Sequence, residues 1–325
     1  MEALSNRLGT RFLVVTVVPN ILIIAYVAFL IAAGAPGRSP SLTRAIMVLG
    51  RLTTIQIVAM LLGLLILSIA THPLQTPLIQ LVEGYWWSLP LGSAIMDRCT
   101  DRFREEWDWA QNELERIQKT KKWDWASEHF LTEVQHRLYW LPERPVKLLP
   151  TCLGNTLRTG EVRAGERYGL ALDVALPRLA PMLSPPVAAE LSDRRNQLDA
   201  AVRLCVMAGL ATAVSVGLLL WHGPWLFLAL GTYLLCWACY QAAVAAAKGF
   251  SNSLAAAIDT HHLQLFDAMQ LKRPADLTEE LCRNVTLDRM FRGETLDDEE
   301  NQDWRYVLPE ADQPSPEQGS APSLQ

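Results

Sequence analysis

Leu204 to Ala247 constrains this chain more than any other stretch. It contains no Asp, Glu, Lys or Arg. That is about twice the ~20 apolar residues that one α-helix needs to cross a bilayer. Its middle reads Trp221-His222-Gly223-Pro224-Trp225. Gly-Pro interrupts a helix, and tryptophan rings favour the headgroup level. The stretch therefore predicts a helical hairpin that crosses a membrane and returns, with its turn at 221–225. A buried hairpin in a large soluble protein is the rival, but helices of that kind carry a polar face, which is missing here.

Two further runs lack charge, at about 12–34 and 52–71. The first competes with a secretory signal peptide, because Ala32-Ala33-Gly34-Ala35 resembles a cleavage site. An apolar signal core usually runs to only ~7–15 residues, so a retained span is the reading taken. Pro19-Asn20 loosens the backbone ladder inside that span. Thr53, Thr54, Gln56 and Ser68 can bond to neighbouring helices or to their own backbone. After His72-Pro73, the segment from Pro77 to Trp87 is apolar with polar interruptions. It suits either the membrane surface or packing against a polar domain.

The remainder is polar and helical in pattern. The 325-residue chain carries a net charge of −5, and its mean hydropathy of +0.12 fits spans joined to sizeable polar regions. In residues 93–140, Trp107, Trp109, Trp123 and Trp125 alternate with charges of both signs. Acids at least equal bases there, so these rings read as anchors of a helical core and not as a nucleic-acid surface. Thr151 after Pro150 is placed to cap a short helix. Residues 186–203 form an amphipathic helix that runs into the third span. Beyond the fourth span, the helical pattern continues through Leu271, and a second small helix covers roughly 276–291. The tail from Pro309, rich in Pro, Ser, Gln and Glu, has the composition of a disordered segment.

The expected fold is an all-α integral membrane protein with four transmembrane helices in two hairpins. A helical cytoplasmic domain lies between the hairpins, and a helical C-terminal extension follows them. The domains are a first hairpin at 1–72, a cytoplasmic domain at 73–203, the second hairpin at 204–247, a cytoplasmic extension at 248–308 and the tail at 309–325. Basic residues stay cytoplasmic. Arg194, Arg195, Arg203 and Lys248 flank the open end of the second hairpin, and its turn has neither Lys nor Arg. Both termini are thus cytoplasmic. The first hairpin points weakly the other way, with Arg38, Arg44 and Arg51 in its loop against Arg7 and Arg11 in the tail.

Several stretches recur together: Gln80-Leu81-Val82-Glu83-Gly84-Tyr85-Trp86, Pro150 to Arg158 with Glu161, Tyr168-Gly169-Leu170 with Pro177-Arg178-Leu179, and the His261-His262 helix. In combination they resemble a family of bacterial multi-pass membrane proteins of unknown function, common in high-GC, actinobacterial-like genomes. The resemblance covers roughly residues 10–300. It implies a bacterial cytoplasmic membrane and no particular activity. Cys152 stands where that pattern would carry a basic residue.

The chemistry-bearing candidates are few. Cys236-Trp237-Ala238-Cys239 is a C-x-x-C pair, but it falls inside a span, where thiolates are disfavoured. The other cysteines, Cys99, Cys152, Cys205 and Cys282, form neither a zinc pattern nor a disulfide framework, and they read as reduced thiols. Asp259, His262 and Asp267, with His261, can share part of a helix surface and offer two or three metal ligands. A solvated polar face needs the same residues. Arg158, Glu161, Arg163, Glu166 and Arg167 read as helix-surface ion pairs or as a docking site for a headgroup or partner. No Walker-type loop, dinucleotide fingerprint or G-x-S-x-G is present. No ionisable residue lies inside a span, which lowers the case for a secondary transporter.

No catalytic, cofactor-binding or metal residue is therefore assigned. The functional expectation is a non-enzymatic membrane component whose cytoplasmic helical module binds a protein partner or a second copy. Its other partner is the lipid bilayer, and nucleic acid is not expected. An oligomeric pore with the layout of bestrophin-type channels is the alternative, by analogy of layout alone, because none of that family's pore residues is found. A membrane-bound enzyme using Asp259 and His262, or the 151–170 region, is the second alternative.

Overall fold

The computed structural model describes residues 18–71, 75–86, 92–119, 125–143, 145–295 and 304. Among them every regular element is helical. The α-helices are α1 (Val18–Ala33), α2 (Leu42–Leu49), α3 (Thr54–Thr71), α4 (Gln75–Glu83), α5 (Gly92–Lys119) and α6 (Trp125–Tyr139). They continue with α7 (Cys152–Gly165), α8 (Leu172–Leu179), α9 (Pro185–Leu219), α10 (Phe227–His261), α11 (Gln264–Ala268) and α12 (Leu277–Phe291). Packing divides the described residues into two compact units. One draws on Met1–Gly160 and Ala189–Leu254, the other on Glu161–Ala188 and Ala255–Gln325.

Two segments are long and apolar enough to cross a membrane, Pro185–Leu219 and Gly223–His261. The expected hairpin turn falls between them: the His222 N–H donates to the Leu219 carbonyl (2.8 Å) and the Trp225 N–H to the His222 carbonyl (3.0 Å). Pro185 opens α9, where a missing N–H costs nothing. A third segment passes the same test only if α2 and Thr54–Gly63 count as one span, and these meet at a bend of 100°. In the expected first span only Val18–Ala33 is described, and residues 12–17 lie outside the described residues.

Within the first unit, α1 packs on α9. Leu30, Ala35 and Leu219 form a buried cluster, with Tyr26, Phe29 and Trp225 packed around it. Ser215 Oγ donates to the Ala211 carbonyl at 2.6 Å, so Tyr26 Oη is the donor in its 2.7 Å contact with Ser215 Oγ. One polar group on each helix is thereby satisfied inside an apolar interface.

Trp107 and Trp109 are not the deepest of the described residues in 93–140. Among the described residues of α5 and α6, Ala110 and Val134 are buried, whereas Trp109 meets Phe130 edge to face at 6.3 Å and remains partly exposed. A small residue at 110 lets the two backbones approach, which pushes the large ring to the margin. Trp123 and the side chain of Trp125 lie outside the described residues.

The region from Pro150 to Gly160 is a joint in the first unit. Thr151 caps α7 as its sequence predicts: Oγ1 accepts the Gly154 N–H (3.0 Å) and donates to the Glu83 carbonyl (2.6 Å). Asn155 grips Leu149 twice, accepting its N–H at 2.7 Å and donating to its carbonyl at 3.0 Å. A Cβ at Gly154 would collide with the Glu83 carbonyl, and one at Gly160 with Ser251. The glycines here serve close backbone approach.

The pattern expected to run on to Leu271 breaks after His261. A turn intervenes, then α11, and the Leu271 N–H closes back on the Phe266 carbonyl at 2.8 Å. No Pro or Gly forces the break. Leu265 and Phe266 are fully buried, and burying them turns the chain inward against its helical propensity.

Candidate functional site

The second unit buries more polar chemistry than its sequence advertises. Its centre is a cluster built from three segments: Tyr168, at the end of a 3₁₀ turn (Glu166–Tyr168), Asp259 and His262 around the end of α10, and Glu280 and Asn284 on α12. Gly169 lets the chain leave that turn. Its φ of +72° is left-handed, and a Cβ there would press on the Leu281 carbonyl at 2.9 Å. Asp276 starts α12 by accepting the Glu279 N–H (2.8 Å), while Glu279 reaches back to the Ala275 N–H (2.6 Å). This is close to the reciprocal capping box. It sets the register of α12 and turns Glu280, Asn284 and Leu287 inward.

The geometry is tight. Tyr168 and His262 stack with centroids 4.1 Å apart and planes 19° from parallel. His262 Nδ1 lies 2.5 Å from Glu280 Oε1. Asn284 Nδ2, which can only donate, reaches the same oxygen at 3.4 Å and the Tyr168 carbonyl at 2.8 Å. Glu280 Oε1 thus serves as the common acceptor, and His262 Nδ1 carries the proton it shares. Glu280 is 4% exposed and Asn284 is wholly buried. Tyr168 Oη donates to Asp259 Oδ1 at 2.8 Å. Burial first, and then that bond to a carboxylate, push the Tyr168 phenol up to about 12.

His261 has a separate role. Its Nε2 accepts the Ser184 N–H at 3.2 Å, so Nδ1 bears the proton and faces the Ala257 carbonyl at 3.0 Å. Both histidines of the His-His pair are therefore engaged in packing, on different partners. Asp267 pairs with Arg273 through two bonds, and the bond from that guanidinium holds its carboxyl below the usual carboxylate range. Further out, Arg292 bridges to Asp173 at 3.0 Å, and Arg178 lies 4.1 Å above the Phe291 ring.

The candidate ligands Asp259, His262 and Asp267 are thus drawn to three different partners, Tyr168, Glu280 and Arg273. Among the described residues no group of three or more His, Cys, Asp or Glu side chains is placed to hold a metal. The 151–170 region is helical from Cys152 to Gly165 and again from Glu166 to Tyr168. Of its charged residues, Arg167 stands 6.0 Å from the Tyr168 ring centroid. Sequence reasoning missed Tyr168, Glu280 and Asn284 as cluster members. Glu279-Glu280 reads as two acids in a first turn, and only the cap at Asp276 distinguishes the one that points inward.

In the first unit, Cys236 meets Cys205 across the hairpin: the sulfurs lie 3.9 Å apart, and Cys236 Sγ is 3.4 Å from the Cys205 carbonyl. Arg203, one of the basic residues flanking the open end of the hairpin, is 2% exposed and lies beside Asp199, Leu78 and Ile79. At the turn end of the hairpin, a groove of about 540 Å³ is lined by residues that include Thr212, Val216, Leu220, Phe227, Leu230 and Tyr233.

Tyr168 Oη, Asp259 Oδ1, His262 Nδ1, Glu280 Oε1 and Asn284 Nδ2 each meet another protein group, while buried Asn284 Oδ1 has no hydrogen-bond partner. Such an arrangement fixes segments to one another and shares protons internally. Comparison with protein-family models, with curated proteins and with solved structures finds no match to this chain.

Proposed function

We propose that this chain is a multi-pass protein of a bacterial cytoplasmic membrane, with four spans in two hairpins and both termini in the cytoplasm. Its polar helical parts form a module that binds a protein partner or serves as the membrane component of a larger system. The observation that carries this reading is the exterior of the α9–α10 hairpin. Trp221 is 86% exposed and Phe227 76%, and Leu220, Leu230, Leu234, Leu235 and Trp237 are each more than half exposed. Leaving such side chains in water forgoes about 1.5–3 kcal/mol apiece relative to full burial. A bilayer covers them, and acyl chains fill the apolar groove at the turn. The apolar exterior of α3, from Ile55 to Ile69, supports a further span on the same ground.

The non-enzymatic part of the reading rests on the second unit, where the best-placed acid–base groups are consumed in bonds to each other. The experiment is purification from native membranes after cross-linking, preceded by an alkaline carbonate wash. Retention in the washed membrane together with a stoichiometric second chain or homo-oligomer is expected. Release by carbonate overturns the membrane reading. A monomer with no cross-linked partner overturns the partner-binding one.

A further inference from the structure

We propose that Cys205 and Cys236 form an oxidisable dithiol whose electron acceptor is a quinone dissolved in the lipid. The inference rests on the membrane reading above. The sulfurs already touch, at 3.9 Å, across the two helices of the hairpin. Cys236 Sγ points at the backbone of Cys205 as well as at its side chain. Both are free thiols, as is Cys239. A disulfide needs sulfurs at about 2.05 Å, so the gap closes by side-chain rotation and a small approach of the helices. Gly209, one turn along α9, faces the same sulfur with no side chain of its own; a Cβ there would lie 3.6 Å from it.

The C-x-x-C spacing alone points to Cys236 and Cys239, whose bond would close a ring within α10. The structure selects the pair that joins two helices. The residues are 31 apart in sequence, and the helices are already joined by the turn at Gly223. A bond between them closes the hairpin covalently part-way along its two helices, away from that turn.

The location determines the oxidant. Both cysteines lie in the charge-free stretch 204–247. Hydrocarbon excludes ionic oxidants, whereas a quinone with an apolar tail dissolves there and its oxygens take up the thiol protons as it is reduced, so no free thiolate is needed. The step balances: two S–H bonds break and one S–S bond forms. The two electrons and two protons reduce the quinone to its quinol. Cys236, the more exposed sulfur, meets the quinone, and buried Cys205 completes the bond.

The test uses the full-length chain, reduced and reconstituted in anaerobic liposomes with a short-chain quinone. The expected result is one quinol formed per chain, an intact mass lower by two hydrogens and a mapped Cys205–Cys236 link. Cys205→Ser and Cys236→Ser each reduce quinol formation to background, and Cys239→Ser leaves it unchanged; alanine variants repeat the set. Absence of quinol formation overturns the proposal, and so does a link that includes Cys239 or joins two chains. A Cys205–Cys236 link made by the water-soluble oxidant diamide but not by the quinone also overturns it. A carbonate wash of the same liposomes reports separately on the spans, so loss of the chain from lipid is distinguishable from failure of the thiol chemistry.

Discussion

The α9–α10 hairpin and the polar cluster of the second unit solve opposite problems. The hairpin turns large apolar side chains outward and keeps small ones, Ala208, Ala211, Ser215 and Ala243, among its buried residues. Its polar contacts are few and local, such as Tyr26 with Ser215. The cluster turns Glu280 and Asn284 inward and pairs Glu280 Oε1 and Asn284 Nδ2 with groups from two other segments. On the proposed membrane reading, such a hairpin needs no polar exterior. The second unit buries a carboxylate, which requires that it be partnered. The contrast shows where each unit is vulnerable: the hairpin in its packing, the second unit in its hydrogen bonds.

Three perturbations sharpen this contrast. The largest effect is expected from Glu280→Ala, which leaves the His262 ring and the Asn284 amide facing an empty site. Leaving a buried polar group unsatisfied costs about 1–3 kcal/mol, and two groups lose their acceptor here. Limited proteolysis of residues 264–295 is expected to accelerate sharply, with cleavage in 204–247 unchanged. Equal acceleration in both would erase the difference between the units.

Next comes alkaline pH. Tyr168 titrates in the folded unit near 12 against an ordinary value near 10. A raised folded value means that the neutral phenol stabilises the fold fully below pH 10, and that this contribution is lost as pH rises through 12. The loss is on the order of 2 kcal/mol. Hydrogen exchange of α12 amides, followed from pH 9 upward against intrinsic rates, is expected to show this loss in the native chain. Tyr168→Phe, which has no proton to lose, is expected to flatten the profile; an unchanged profile would remove Tyr168 from the account.

The smallest effect belongs to the hairpin. Tyr26→Phe removes a donor, but Ser215 keeps its bond to the Ala211 carbonyl. Interhelical hydrogen bonds between spans average about 0.6 kcal/mol. Thermal unfolding in detergent is expected to shift by only a few degrees. A drop comparable with that of Glu280→Ala would mean that the hairpin, too, depends on its polar contacts.

Much of this was legible in advance. The 221–225 turn, the Thr151 cap and the passage of the amphipathic 186–203 segment directly into an apolar helix all follow from local rules. Breakers, cap geometry and periodicity act over a few residues. Less legible were the break after His261, which follows from burying Leu265 and Phe266, and the demotion of Trp109 to the margin of its helix pair. Both depend on what lies opposite.

By itself the sequence determined the helical class, the charge-free hairpin and the candidate thiols and histidines, because composition and spacing are properties of neighbours along the chain. Only the tertiary structure decided their partners. Cys236 met Cys205 across the hairpin, His262 met Glu280 in place of a metal set, and Arg203 was buried. Spacing along one helix limits which side chains can meet, but which of them do meet is fixed by the face that a second, distant helix presents.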